Sequence, residues 1–470
     1  MTSGSGCWSD FEECPGVRQH EVKAHFSPWR RIKMMLCPRN RASDRAQRVT
    51  HVAINGGQEH NVIQYNHMRN KIVERLSKLK PTKGEAVLAL DIGTEFVKVL
   101  AAKLDDSIEI LGANKVRQEA GAMHDGAIAD IRAVTVACEK AISELERQIG
   151  QPLRKTVVGV AGELVKASAT TITYRRKNHE TPIAEDEMHS ILQKVENRAL
   201  ENTEKQINRE TNRDTKIRLI NSALVGMDID GYKVTNPIGF PGKEIAVQIY
   251  TAFAPLVHIG PMEAVCRELD LDLLAIATEP FAVFRAVVGD QTASNITTII
   301  LDIGGGTTDV AVVSNGGVEG TKSFAIGGRS FTRQIADSMD LDMAAAEKCK
   351  LALGSDALSD ATRERILAAV QPSLTIWQAG VGMSLEEFGG LDHLPSKILL
   401  CGGGASLDQI TEVLKSDSFL EDLPFAKTPE VKLIDPSALP GIKNRGIEEI
   451  DHSFITAIGL LWVAKDSLSS

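Results

Sequence analysis

Apolar and polar positions follow two regimes along the chain. Residues 1–66 hold no sustained period; Arg, Asn, His and Gln interrupt every short apolar run, so little regular structure is expected there. A short amphipathic helix is predicted over 68–79, with Ile72, Leu76 and Leu79 on one side and Arg69, Lys71, Arg75 and Lys78 around the rest. Pro81 and Gly84 stop it. From Glu85 onward, apolar strands, glycine turns and helices succeed one another. Runs 86–90 and 96–101 predict a hairpin, and 131–149 a helix with Val134, Cys138, Ile142 and Leu145 on its apolar face. A strand is expected over 156–161 and a long charged helix over about 184–209. Strands near 217–225 and 245–252, a helix from Pro261 to about 269, a strand over 273–277 and a helix over 280–288 come next.

The opening pattern then returns. Leu88-Ala-Leu-Asp-Ile-Gly-Thr is matched by Ile300-Leu-Asp-Ile-Gly-Gly, which places Asp91 and Asp302 211 residues apart. One repeat at that distance means two similar halves rather than a solenoid. Two lobes sharing a cleft is the economical arrangement, and clefts between lobes are where ligands bind.

Charge changes the picture at the N-terminus. Residues 1–84 carry fifteen Lys and Arg against seven Asp and Glu, a net +8, which leaves −17 on the remainder of a chain totalling −9. Such an extension suits an anionic surface, nucleic acid, or the acidic body itself. Aromatic residues are not interleaved with the basic ones, so sequence-specific nucleic-acid binding is not expected. No run of eighteen apolar residues predicts a membrane span. Seven scattered cysteines without a C-x-x-C pair fit a reducing cytoplasm. Cys7, Cys14, His20 and His25 are poorly spaced for zinc.

The two repeated turns carry the chemistry. A phosphate chain needs backbone N–H donors at close range and little bulk, which glycine turns supply. Asp302, Gly304, Gly305 and Gly306 form such a turn, with hydroxyls from Thr307 and Thr308; Asp91, Gly93 and Thr94 form a smaller one. Lys98, on the return strand, can reach a phosphate as a point charge. The aspartates would repel phosphate but can hold water on a bridging Mg²⁺. A third run, Gly402, Gly403 and Gly404, follows a strand at 397–400 and precedes a helix expected near Leu407, a layout that admits a flat base or a phosphate.

These residues carry a family resemblance. L-D-I-G-T-E-F-V-K-V (90–99) and I-L-D-I-G-G-G-T-T-D-V-A-V (300–312) resemble the two phosphate motifs of actin-like ATPases. L-L-C-G-G-G-A-S-L (399–407) is similar to their adenosine motif, and T-E-P-F-A-V (278–283) and F-I-T-A-I-G-L-L (454–461) to their two connecting motifs. Within that superfamily, N-P-I-G-F-P-G-K-E-I (236–245), I-G-G-R-S-F-T-R-Q-I-A (326–336) and A-E-K-C-K-L-A-L-G (346–354) resemble the bacterial cell-division family FtsA. PilM, a pilus-assembly relative, shares much of this; the N-P-I-G stretch and the Glu279-Pro280 step favour FtsA.

The resemblance implies an α/β protein of actin-like ATPase fold: two ribonuclease-H-like lobes around a nucleotide cleft, with an FtsA-type inserted domain in the first lobe. The expected divisions are a basic extension at 1–84, a first lobe at 85–161 and 255–295, the insert at 162–254, and a second lobe at 296–470. ATP and Mg²⁺ are implied as cofactors. Asp91, Gly93, Thr94 and Lys98 would serve one side of the phosphates and Asp302, Gly304, Gly305, Gly306 and Thr307 the other, with Asp91 and Asp302 reaching Mg²⁺ through water. Gly402, Gly403 and Gly404 would border adenine, Glu347 and Lys350 the ribose and base, and Glu279 would orient the attacking water of a weak ATPase. Implied partners are the tubulin-like protein FtsZ, further copies of the chain in filaments, and the cytoplasmic face of the membrane as a peripheral contact. The alternative is a PilM-like ATP-binding adaptor of type IV pilus assembly. The family's usual basic C-terminal membrane helix has no match here, so membrane contact is expected from the basic extension. There, 27–38 places Trp29, Ile32 and Leu36 on one helical face, with Arg30, Arg31 and Lys33 toward headgroups.

Overall fold

The computed structural model describes residues 85–160, 165–211, 215–234, 236–290, 296–354, 358–388, 391–444 and 447–469. The expected helices at 27–38 and 68–79, and Cys7, Cys14, His20 and His25, lie outside the described residues.

In chain order the strands are β1 (Val87–Ile92), β2 (Phe96–Leu104), β3 (Ile108–Arg117), β4 (Met123–His124), β5 (Ala127–Ile128), β6 (Lys155–Val160), β7 (Lys166–Arg175), β8 (Ile217–Ile229), β9 (Tyr232–Lys233), β10 (Glu244–Pro255), β11 (Asp272–Thr278), β12 (Thr298–Ile303), β13 (Thr308–Ser314), β14 (Gly317–Phe324), β15 (Lys397–Cys401), β16 (Glu430–Leu433) and β17 (Ile442–Asn444). The helices are α1 (Ile131–Ile149), α2 (Glu185–Thr211), α3 (Leu256–Glu268), α4 (Glu279–Val288), α5 (Gly328–Met339), α6 (Met343–Ala352), α7 (Asp360–Glu386), α8 (Asp408–Val413), α9 (Asp417–Leu420) and α10 (Ile455–Ser469).

The internal repeat extends through both sheets. The first runs β11-β6-β1-β2-β3-β17 and the second contains β16-β15-β12-β13-β14, so five strands recur in the same spatial and sequential order. In each lobe the first strand pairs antiparallel with the second and parallel with the strand that follows the crossover helices. The opening strands of both lobes, Val87–Ile92 and Thr298–Ile303, are buried throughout, which is why they read as continuous apolar runs.

Local signals account for the helix ends that matter. Asp130 caps α1 by accepting from the Ala133 N–H at 3.0 Å, and Gly150 closes it in the left-handed region at φ 70°. α3 begins five residues earlier than expected and carries Pro261 inside it. The lost bond is the one to the carbonyl of Val257, and Val257 is exposed, so water can take that acceptor.

The segment between β6 and α3 folds as β7, α2, β8, β9 and β10 around its own apolar cluster, including Ile191, Val195, Leu224, Val247 and Ile249. Although it interrupts the first lobe in sequence, its sheet continues that of the second. β7 pairs with the edge strand β14 at Ser168↔Gly320 and Ala167↔Thr321.

Helices α4 and α10 pack in the central core, with Phe281, Phe284, Phe454, Ile458, Leu461 and Trp462 buried. They cross so closely that a Cβ at Gly459 would stand 1.8 Å from the Ala282 carbonyl oxygen. Arg285 on α4 grips Asp466 on α10 with two bonds of 2.7 and 2.9 Å. Small residues at the crossing let the two helices pack this closely.

Candidate functional site

The first turn sits where β1 ends. The register sets Lys98 opposite Asp91, and the Gly93 N–H closes the turn on the Phe96 carbonyl at 3.1 Å. The Lys98 Nζ donates to Asp91 Oδ2 at 2.6 Å, and Asp91 is buried. Burial works against the ammonium, but the charges of Asp91, Asp302 and Glu279 outweigh it and hold its pKa above the usual lysine range.

The second turn has the same backbone plan. The Gly304 N–H closes on the Thr307 carbonyl at 2.9 Å, and the register sets Asp309 opposite Asp302. Both aspartates are buried. Burial raises the Asp302 pKa, and Lys98 and the hydroxyl of Thr456 only partly offset this. Thr456, at the start of α10, donates to Asp302 Oδ2. Asp309 is pushed up to about 7, first by burial and then by the neighbouring Asp302. Thr308 does not face the cleft as a free hydroxyl. Its Oγ1 donates to the Ile326 carbonyl at 2.7 Å and accepts from the buried Trp377 Nε1 at 2.9 Å. As the first residue of β13 it alternates inward, which leaves Thr307 as the turn's hydroxyl.

Glu279 is the first residue of α4 and not its cap, which is Thr278. Its pKa is raised by burial and then by Asp91, Asp309 and Asp302, with Lys98 opposing. Asp91, Asp302 and Glu279 therefore act on one ammonium, and Asp309 lies opposite Asp302. This is an oxygen-donor set short of positive charge, as a hard cation requires. Among the described residues no three His, Cys, Asp or Glu side chains converge closely enough to hold a metal directly.

The third glycine run closes the other flank. Gly402 has φ 83°, and a Cβ there would stand 2.2 Å from Asp302 Oδ1, so no other residue fits. Gly403 meets nothing within 4 Å. The helix expected near Leu407 starts at Asp408 as α8, with Leu407 as its N-cap, and a short 3-10 turn over Gly403–Ser406 precedes it. The Ser406 hydroxyl donates back to the Gly403 carbonyl at 3.0 Å and holds the tighter turn.

Glu347 and Lys350 lie one turn apart on α6. The Lys350 Nζ contacts Glu347 Oε2 at 2.8 Å, the Gly328 carbonyl at 3.0 Å and Thr332 Oγ1 at 2.8 Å, and Thr332 donates to Glu347. A Cβ on Gly328 would lie 3.5 Å from Lys350 Nζ and 3.6 Å from Gly404 Cα, so this pair borders the glycine run. The two phosphate-type turns also meet, since a Cβ at Gly306 would be 2.8 Å from Thr94 Oγ1. The two turns, the Gly402–Gly404 run and the Glu347–Lys350 pair thus lie next to one another, while Thr308 points away from them.

Asp309, Thr456 and the ion pair Glu95–Arg329 were not singled out beforehand. For Asp309 a signal existed: it follows Asp302 by seven residues, as Lys98 follows Asp91. Thr456 and Arg329 come from distant parts of the chain, and no spacing announces them.

A profile of the family described as Cell division protein FtsA matches residues 299–459. The chain is 24% identical over 380 residues to the cell division protein FtsA of Bacillus subtilis, covering 76% of this chain and 82% of that one. To FtsA of Neisseria meningitidis it is 24% identical over 400 residues, covering 80% and 90%. Among solved structures, the PilM–PilN type IV pilus biogenesis complex superposes with a TM-score of 0.58 at 19% identity, over 80% of this chain and 98% of that one.

Proposed function

We propose that the chain, which is similar to cell division protein FtsA and has an actin-like fold, is an ATP-binding, actin-like cytoskeletal protein of cell division. The observation that carries the reading is the pair of facing hairpin turns, where Asp91 and Asp302, with Glu279 from the start of α4, act on the ammonium of Lys98. The triphosphate would lie against the backbone N–H groups of both turns, with Lys98 on its charge. Asp91 and Asp302 would hold water on Mg²⁺, which supplies charge neutralisation across the phosphate oxygens. Adenine would rest beside Gly403, with Glu347 and Lys350 at the ribose. Glu279 would accept a hydrogen bond from the attacking water.

Partners in this reading are an FtsZ-type tubulin homologue, further copies of the chain, and the cytoplasmic membrane as a peripheral contact. Among the described residues no helix is long and apolar enough to cross a membrane. Calorimetry with Mg-ATP tests the core of the proposal. The parent should bind, and Asp302→Ala should bind at least about tenfold more weakly, since a hydrogen-bonded charge contributes roughly 1.5–3 kcal/mol. Equal affinities count against the site.

The superposition on PilM supports a second reading, an ATP-binding adaptor that holds a short segment of a pilus membrane protein. Pull-down against purified FtsZ and against a PilN-type peptide separates the two. Retention of FtsZ alone supports the division role, and retention of the peptide alone supports the adaptor.

A further inference from the structure

Glu95 follows Thr94 at the tip of the first hairpin, and it is held from both lobes. Arg117, the last residue of β3 in the same lobe, donates to Oε1 through Nε at 2.9 Å and also through Nη2. Arg329, in the first turn of α5 in the second lobe, donates to Oε2 through Nε at 3.1 Å and Nη2 at 2.7 Å. The same Nη2 reaches the Thr94 carbonyl at 3.1 Å. Burial works against the carboxylate, but the bonds from Arg329 and Arg117 prevail and hold the Glu95 pKa below its usual range.

The anchoring of these groups matters as much as the pairing. The Arg329 backbone N–H donates to the Gly305 carbonyl at 2.8 Å, so this guanidinium is mounted on the second turn itself. Glu95 belongs to the first turn, and a Cβ at Gly305 would stand 2.8 Å from the Glu95 Cβ. The pair therefore ties one phosphate-facing turn to the other. It also touches solvent, with Glu95 22% and Arg329 26% exposed, whereas the Gly459–Ala282 crossing lies in the buried core. A buried helix crossing and a solvent-touched ionic tie are the two elements of a hinged closure. We propose that Glu95 and Arg329 form an interlobe latch that must open whenever nucleotide enters or leaves, so that it sets the exchange rate at this site. The proposal rests on the nucleotide reading above and deepens it into a mode of regulation. Because the latch is ionic and partly solvated, salt or a competing anion releases it, and the buried carboxylate cluster needs no change.

The test is stopped-flow release of a fluorescent ATP analogue from the full chain, with Mg²⁺. Glu95→Gln and Arg329→Gln should each speed release on the order of fivefold to tenfold, as expected for a partly buried bidentate charge pair. The double variant should be no faster than the faster single one, because both remove the same tie. Arg117→Gln should act less, since its bonds stay within one lobe. Added salt should speed release from the parent and leave Glu95→Gln unmoved, a response that a merely structural role does not give. Single-variant rates within twofold of the parent, or effects that multiply in the double variant, overturn the latch. Equilibrium titration of the parent with the same analogue tests the nucleotide reading by itself. If it shows no binding, amide exchange in the nucleotide-free chain still decides the latch. Glu95→Gln should speed exchange at Gly328 and Arg329, whose N–H groups hang on the second turn, and unchanged exchange there overturns the proposal.

Discussion

The two hairpins that face each other across the site share a backbone and differ in what they set opposite their aspartate. In both, the aspartate stands at the end of a buried strand, a glycine closes the turn, and the seventh residue on returns in register. In the first hairpin that residue is Lys98, and Asp91 has its counter-charge within its own turn. In the second it is Asp309, so two buried carboxylates stand opposite each other, and burial and then Asp302 raise the pKa of Asp309. Repetition has kept the fold and divided the electrostatic work between the halves. The first supplies an ammonium that acts on aspartates of both hairpins, and the second sets two carboxylates opposite each other.

Lys98 is the point at which the comparison breaks most sharply. Lys98→Met removes the one ammonium that, among the described residues, acts on Asp91, Asp302 and Glu279, and it strands Asp91 in a buried position. Breaking a buried pair by deleting one partner costs about 3–5 kcal/mol. Urea unfolding should show that loss, and nucleotide binding should disappear with it. A loss below about 1 kcal/mol would mean that the first hairpin does not depend on its own cation.

Glu279 tests the halves together, because its carboxyl is raised by aspartates from both hairpins. Glu279→Gln should leave ATP affinity nearly unchanged while slowing single-turnover hydrolysis about 100-fold, the range for loss of a general base. Equal single-turnover rates in the two proteins would remove Glu279 from the chemistry.

The second hairpin carries its pH signature in Asp309. A carboxyl whose pKa is raised on folding contributes stability that is present in acid and lost as pH rises. For Asp309 the loss runs from the ordinary aspartate value of 3.8 up to about 7. Asp309→Asn keeps the shape and cannot ionise. Without nucleotide it should nearly match the parent at pH 4 and exceed it by up to about 4 kcal/mol at pH 8, the size set by a rise from 3.8 to about 7. Thermal melts across that range decide the matter, and parallel curves for the two proteins would contradict an ionising Asp309.

The backbone of this comparison was readable in the sequence, and its electrostatics were not. The hairpins and the helix over 131–149 were legible because glycines, the Asp130 cap and Gly150 mark local events. The start of α3 was misplaced because Pro261 reads as a first-turn residue, while an exposed carbonyl lets the helix run through it. Thr308 was expected at the phosphates, yet strand alternation turns it to Trp377. Glu95 and Arg329 are 234 positions apart, and only the meeting of two lobes makes them partners. The pairing of β7 with β14 is hidden for the same reason, since the inserted segment interrupts one lobe and extends the sheet of the other.

The smallest expected effect tests whether the two turns are equivalent in backbone alone. Gly93 and Gly304 occupy the same place in their hairpins, and neither has positive φ. An added Cβ would stand 3.0 Å from the Phe96 carbonyl oxygen at Gly93 and 3.3 Å from the Thr307 carbonyl oxygen at Gly304. Both contacts are tight, and both neighbours are backbone atoms that yield by only a few tenths of an ångström. Alanine also lowers the entropy of the unfolded chain, which offsets part of the strain by about 0.4–1 kcal/mol. Gly93→Ala should therefore cost on the order of 1 kcal/mol and Gly304→Ala somewhat less, both read as shifts in the urea midpoint at unchanged slope. If Gly304→Ala costs several kcal/mol while Gly93→Ala is neutral, the hairpins differ in backbone as well as in side chains. Their asymmetry would then begin one level lower than the Lys98–Asp309 exchange.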